Sequence, residues 1–144
     1  MMPAQVRPTR VMVVFYSRRG ETEKTALAAG VGAIQARALI RLRRLRDLTD
    51  DETIARDALW SAERTRMNTD YIAPRPIDAE WADVIITACP QDRPDEMQAY
   101  RAELQGAALQ DLDAKVAAIP DSSDADAARE FGKRVAERAR TLKS

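Results

Sequence analysis

The run Val11-Met12-Val13-Val14-Phe15-Tyr16, followed by Ser17-Arg18-Arg19-Gly20-Glu21-Thr22, decides how the chain is read. An unbroken apolar run rich in β-branched and aromatic side chains, stopped by turn formers, reads as a strand buried on both faces, as in the middle of a parallel sheet. From Thr22 to Ile34 the spacing turns helical. Ala26, Ala29 and Ala33, with Leu27, Val31 and Ile34, form an apolar stripe beside Lys24 and Gln35, and Gly30 and Gly32 allow close packing on a sheet. A buried strand, a tight turn and a helix start are also the ingredients of a phosphate cradle: Gly20 permits the turn, backbone N–H groups converge, and the Ser17 and Thr22 hydroxyls can bond phosphate oxygens. The turn is neither a Walker A loop nor a Rossmann G-x-G-x-x-G. Taken alone, Ser-x-x-Gly-x-Thr is more often an ordinary capped strand-to-helix turn.

Outward from this unit, residues Ala38–Leu45 read as a second strand, and Arg41, Arg43, Arg44 and Arg46 make it an edge. The arginines read as solvated guards of that edge rather than as a nucleic-acid patch, because no aromatics are interleaved with them. Asp47–Ile77 reads as a long surface connection with a short helical stretch around Ile54–Glu63 and breakers at Pro74 and Pro76. Asp83–Ala88 is a third buried strand, ended by Cys89-Pro90. Helix formers follow over Asp95–Leu104, with Met97, Tyr100 and Leu104 on one face. Ala114–Ile119 is a short fourth strand closed by Pro120. Ser122 and Ser123 ahead of Asp126 signal a last helix running to Leu142, with Phe131, Val135, Ala139 and Leu142 as its buried stripe. Strands alternating with helices imply an α/β, three-layer sandwich with a parallel sheet ordered 2-1-3-4.

Composition bounds the function. A length of 144 residues suits a single domain over 1–144, and 23 basic against 23 acidic residues leave no global field to attract nucleic acid or an anionic membrane. The absence of histidine removes Ser-His-Asp and Cys-His nucleophile pairs, imidazole bases and His-containing zinc sites, so any catalysis points to a cofactor. The single cysteine, Cys89, makes no intrachain disulfide and suits a reducing compartment, though a lone cysteine beside proline is chiefly a packing residue. Met1–Arg10 has no signal-peptide apolar region and no run is long enough to span a bilayer, which leads to the expectation of a cytoplasmic protein. Asp92, Asp95 and Glu96 lack calcium-loop spacing, and no metal site is expected.

The segment from Val11 to Lys24 resembles the first strand and FMN phosphate loop of flavodoxin-like proteins, specifically the WrbA-type NAD(P)H:quinone oxidoreductases. Glu80-Trp81-Ala82-Asp83-Val84-Ile85-Ile86 is similar to that family's approach to its third strand. Cys89-Pro90 with Arg93 and Met97 resembles a worn form of its proline-threonine-arginine flavin loop. Ala114–Ala118 resembles its fourth strand, and Ala128–Glu137 its last helix. The resemblance implies a flavodoxin-like fold with FMN phosphate on Ser17, Arg18, Arg19, Gly20, Glu21 and Thr22. The flavin ring would lie near the loop after the third strand, at Pro90, Gln91 and Arg93. The implied activity is electron transfer from NAD(P)H through FMN to a quinone, with no catalytic side chain identified. Trp60, Trp81 and Tyr71 are candidates to wall a flavin or quinone, Trp81 being the better core anchor.

The departures are equally specific. Between Ile119 and the final helix the family has a glycine-rich flavin loop, a helix and a fifth strand, where this chain has only Pro120-Asp121-Ser122-Ser123-Asp124. Gln91–Glu96 replaces an aromatic-glycine-asparagine segment, and Glu21 stands where a neutral residue or histidine is usual. Two functions therefore stand side by side: an FMN-dependent oxidoreductase, or a degenerate flavodoxin-fold protein that has lost FMN and acts as a binding or oligomerising module. Losing the fifth strand would leave the fourth as an open sheet edge, expected to be covered by the final helix, by the connection around Gln105–Asp113 or by the same strand of a second subunit, and a homodimer or higher homo-oligomer would also suit the family.

Overall fold

The computed structural model describes residues 7–107, 109, 112–120 and 124–143. Strands β1 (Arg10–Phe15), β2 (Leu39–Arg44), β3 (Val84–Ala88) and β4 (Val116–Ala118) form one parallel sheet in the order β2-β1-β3-β4. Helices α1 (Glu21–Gln35) and α7 (Ala125–Lys143) pack on one face, and α4 (Pro76–Trp81) and α5 (Asp95–Gly106) on the other. The α/β class, the parallel sheet and its strand order are as expected, and the architecture is compatible with a flavodoxin-like fold.

Strand alternation explains the layering. Val11, Val13 and Phe15 face α1 and α7, whereas Met12, Val14 and Tyr16 face α4 and α5, so every residue from Val11 to Tyr16 is buried. The face of α1 differs from expectation. Ala26, Ala29 and Ala33 are buried, but Leu27, Val31 and Ile34 point outward at 38%, 47% and 54% exposure. The reason is the closeness of α7: a Cβ at Gly32 would stand 1.8 Å from the Arg129 carbonyl oxygen, and one at Gly132 would stand 2.0 Å from that of Ala29. Backbones this near leave room for glycine and alanine only, and the larger side chains are turned to the other side. On α7 the same contact buries Ala128, Gly132 and Ala136, flanked by half-buried Phe131, Val135 and Ala139. Asp124 caps this helix through the Ala127 N–H, 2.7 Å away. The start signals at Ser122 and Ser123 and the Leu142 side chain lie outside the described residues.

Two further expectations are corrected. Residues 47–77 are more than a surface connection with one short helical stretch: they form α2 (Asp51–Ala55), α3 (Ala58–Asp70) and the start of α4, with Ile54, Trp60 and Met67 buried. Pro76 opens α4 rather than breaking structure, since its missing N–H costs nothing there. The fourth strand is also shorter than expected, because Ala114 and Lys115 belong to the one-turn helix α6 (Leu112–Lys115).

A third correction concerns the arginines of β2. It is an edge strand, as expected, but its charges are not solvated guards. Arg41 and Arg43, paired in register with Met12 and Val14, fold over the sheet onto the fully buried Asp78 of α4. Asp78 accepts from Arg41 (2.9 Å), from Arg43 (2.9 and 3.2 Å), and from the side chain (3.1 and 3.3 Å) and N–H (2.9 Å) of Arg75. Burial opposes the ionised carboxyl, but Arg43 and Arg75 outweigh it and hold Asp78 well below the usual carboxylate range. Arg41 also lies 4.1 Å from the Trp81 ring centroid. Arg44, alternating to the opposite face, is completely buried.

Candidate functional site

The loops after β1 and β3 leave the carboxyl ends of adjacent parallel strands. β1 has β2 on one side and β3 on the other, so this is the point where strand order reverses and where open α/β sheets form a crevice. The Tyr16 N–H donates to the Ala88 carbonyl at 3.0 Å, so the two loops start side by side. Between them lies a cleft of about 290 Å³. Arg18, Arg19, Glu21 and Thr22 form one wall, and Pro90, Asp92 and Arg93 the other. An adjoining open hollow of about 550 Å³ adds Gln91 and Thr25. Ser17 and Gly20 are buried in the turn behind the first wall. Thus the two predicted segments meet, and Thr25 and Asp92 join them unforeseen.

The first turn has a specific geometry. Gly20 takes a left-handed φ of +102°, which strains any residue with a Cβ, and its N–H donates to Ser17 Oγ at 2.9 Å. No side chain caps α1. Its first-turn N–H groups lack intrahelical partners by construction and carry the positive end of the helix dipole. Glu21 and Glu23 sit in the same turn with opposite fates. Glu21 is exposed on the cleft. Glu23 is buried and taken up by Arg66 (2.6 and 3.1 Å) and the Tyr71 hydroxyl (2.6 Å). Arg66 in particular holds the Glu23 carboxyl below its ordinary value, against the effect of burial.

The loop arginines are drawn toward α3. The Arg18 guanidinium stands 4.1 Å from the Trp60 ring centroid and donates to the Tyr16 hydroxyl at 3.2 Å, while Arg19 pairs with Asp57, the N-cap of α3. Beneath them Arg44 donates to the Ser17 carbonyl (2.7 Å), Asn68 (2.9 Å) and Asp47 (3.1 Å). Asp47 also accepts from the Tyr16 hydroxyl (2.7 Å) and Trp60 Nε1 (3.0 Å). Burial, and then the bond to Asp47, push the Tyr16 hydroxyl well above its ordinary pKa, so it remains a donor. This polar layer fastens α3 to the loop, and the sequence reading missed it. One signal was present: Arg43 and Arg44 are adjacent in a strand, so one of them must face each side of the sheet and meet a partner there.

The aromatic candidates do not wall the cleft. Trp60 is buried against Arg18 and Asp47, Trp81 lies under Arg41, and Tyr71 packs edge-on against Phe15 with ring centroids 5.1 Å apart. The cleft itself brings three guanidiniums, Arg18, Arg19 and Arg93, together with the carboxylates of Glu21 and Asp92, and Arg93 stands 3.7 Å from Asp92.

An FMN molecule can be set against these residues end by end. Its phosphate fits the uncapped start of α1, the Gly20 turn and the Thr22 side chain. Its ring does not find a matching surface, since no aromatic side chain lines either hollow. Among the described residues no helix is long and apolar enough to cross a membrane. No family model matches the chain, and no curated protein shows significant similarity to it.

Proposed function

We propose that the cleft between the two loops receives FMN by its phosphate, in a protein working as an NAD(P)H:quinone electron-transfer flavoprotein. The observation that supports this is the left-handed Gly20 turn leading into a helix start that no side chain caps, facing the loop after β3 across the cleft. In this reading the Ser17–Thr22 backbone and the Thr22 hydroxyl hold the phosphate, Arg18 and Arg19 attract it, and the Pro90–Arg93 loop borders the ring. The redox chemistry and the quinone rest on the resemblance of the sequence, because the ring end of the cleft lacks a stacking surface.

The test is a visible spectrum of the purified protein with and without added FMN, followed by titrations. FMN is expected to bind far more tightly than riboflavin, and Gly20→Val or Thr22→Ala to weaken FMN strongly, because the phosphate end makes the fitted contacts. Equal affinity for riboflavin and FMN would overturn the phosphate-led reading.

A second reading draws on the missing aromatic wall and on β4, which stands as an edge strand with Val116 and Ala117 half-buried and Ala118 exposed. In it the scaffold has lost FMN and serves as an oligomerising module, with β4 pairing to a second copy. Light scattering at high micromolar concentration is then expected to give a dimer mass that Val116→Lys reduces to the monomer. A wild-type monomer under those conditions would exclude the edge-paired dimer.

A further inference from the structure

β2 bounds one side of the sheet, and its outer side is open over most of its length. The Leu39 and Leu45 N–H groups donate inward, to the Thr9 and Phe15 carbonyls, whereas the Arg44 N–H donates outward to the Ile72 carbonyl at 3.1 Å. By strand alternation the N–H and C=O groups of Ile40 and Leu42 also point outward, and Ile72 covers only the Arg44 end. Edge strands are normally protected by charges. Here Arg41 and Arg43 are turned onto Asp78, and apolar side chains flank the open edge instead. On the α1 face, Leu27, Val31 and Ile34 form an exposed stripe with the 4-3 spacing of a helix-pairing seam. Ile40 and Leu42 adjoin it, since their side chains lie 3.3 and 3.5 Å from where a Gly30 Cβ would stand. On the other face Leu39 is 50% exposed. From Thr25 to Ala36 the chain carries no charge.

We propose that this surface takes a second copy of the chain, β2 pairing antiparallel with β2 about a two-fold axis at Ile40 and α1 packing against α1. The spacing selects this occupant. Paired strands lie about 4.8 Å apart and α1 lies over β1 and β2 alike, so the two α1 axes would stand about 10 Å apart, the distance of packed helices. Centred on Ile40, the pairing runs from Ala38 to Leu42 and stays clear of Ile72. Because Gly30 stands against Ile40 and Leu42, the same axis passes close to Val31, the middle of the stripe, and Leu27 of one copy meets Ile34 of the other. The charges agree. Antiparallel helices oppose their dipoles, and Lys24 of each copy falls beside the last turn of the other α1, which has no basic residue of its own. The proposal rests neither on FMN nor on β4, which is the opposite edge of the sheet.

Sedimentation of the whole protein over a concentration series, joined to amide hydrogen exchange, is the test. The wild type is expected to dimerise, with the Ile40 and Leu42 amides protected at concentrations where the dimer forms. Val31→Glu sets two like charges across the axis, at a position exposed in the single chain. It is therefore expected to keep its circular dichroism and to weaken association by about hundredfold or more. The Ile40 and Leu42 amides should then exchange about tenfold or more faster, while that of Val13 in the sheet centre stays protected. Val116→Lys, at the other edge, is expected to leave the Val31-dependent association in place. A wild type that stays monomeric at high micromolar concentration, a dimer that Val31→Glu leaves intact, or Ile40 and Leu42 amides exchanging alike in both proteins would overturn the proposal.

Discussion

Asp78→Asn is expected to lower the unfolding free energy by about 3–5 kcal/mol in urea denaturation at neutral pH, the usual loss when one partner of a buried ion cluster is removed. Asp78 is completely buried and is the shared acceptor of Arg41, Arg43 and Arg75. Asparagine preserves the shape but leaves three guanidiniums converging on a neutral group. It also unties α4 from β2, since Arg41 and Arg43 reach α4 through this carboxylate alone among the hydrogen bonds they make to side chains. The effect carries a pH signature. The folded-state pKa of Asp78 is depressed, so its contribution is fully present above the unfolded value near 3.9 and is lost as pH falls toward the depressed folded value. The difference between wild type and variant should therefore be constant at neutral pH and shrink as the pH falls below about 4. A difference below about 1 kcal/mol at pH 7 would mean that the cluster behaves as a solvated surface network.

Gly132→Ala is the second large effect expected. The added Cβ would meet the Ala29 carbonyl oxygen at 2.0 Å, and that atom belongs to a helix backbone that no rotamer change can move. Relief requires α7 to back away from α1, opening the contact that buries Ala29, Ala33, Gly32 and Ala136. Overpacking of this kind costs typically about 1–3 kcal/mol, and here the upper end is expected even after about 1 kcal/mol of gained helix propensity. Gly32→Ala should act alike, and because both substitutions push the same helices apart, the double variant should lose less than their sum. Gly106→Ala, in α5 with nothing within 4 Å of the added Cβ, is the control and should be neutral or slightly stabilising in thermal unfolding. A neutral Gly132→Ala would show that the two helices pack less tightly than these distances require.

Both substitutions bear on what was legible in the chain. The central position of Val11–Phe15, the burial of Val84–Ala88 and the edge position of Leu39–Arg44 all follow from local composition, because a strand's neighbours on each face are written into the polarity of alternate residues. The tight turn at Gly20 and its junction with the loop after β3 were legible for the same reason: in a parallel α/β sheet, connectivity alone puts these loops at one end of the strands. The facing of α1 was not. Hydrophobicity favoured burying Leu27, Val31 and Ile34 as much as the alanines, and only the close approach of a helix about a hundred residues away turned them outward. Nor did the sequence disclose that Arg44 is internal and that the half-buried Arg41 and Arg43 turn inward onto Asp78. A charged side chain reads as exposed until its partner is known, and the partners lie in a segment without strong periodicity, Asp47 to Asp78, whose helices are held by those same ion pairs and hydrogen bonds. By itself, then, the sequence determined the sheet, its order and the loops at its carboxyl end, since these depend on local patterns and chain connectivity. Tertiary structure alone decided which helix faces are buried and which charges are paired, because each depends on residues that meet only after folding.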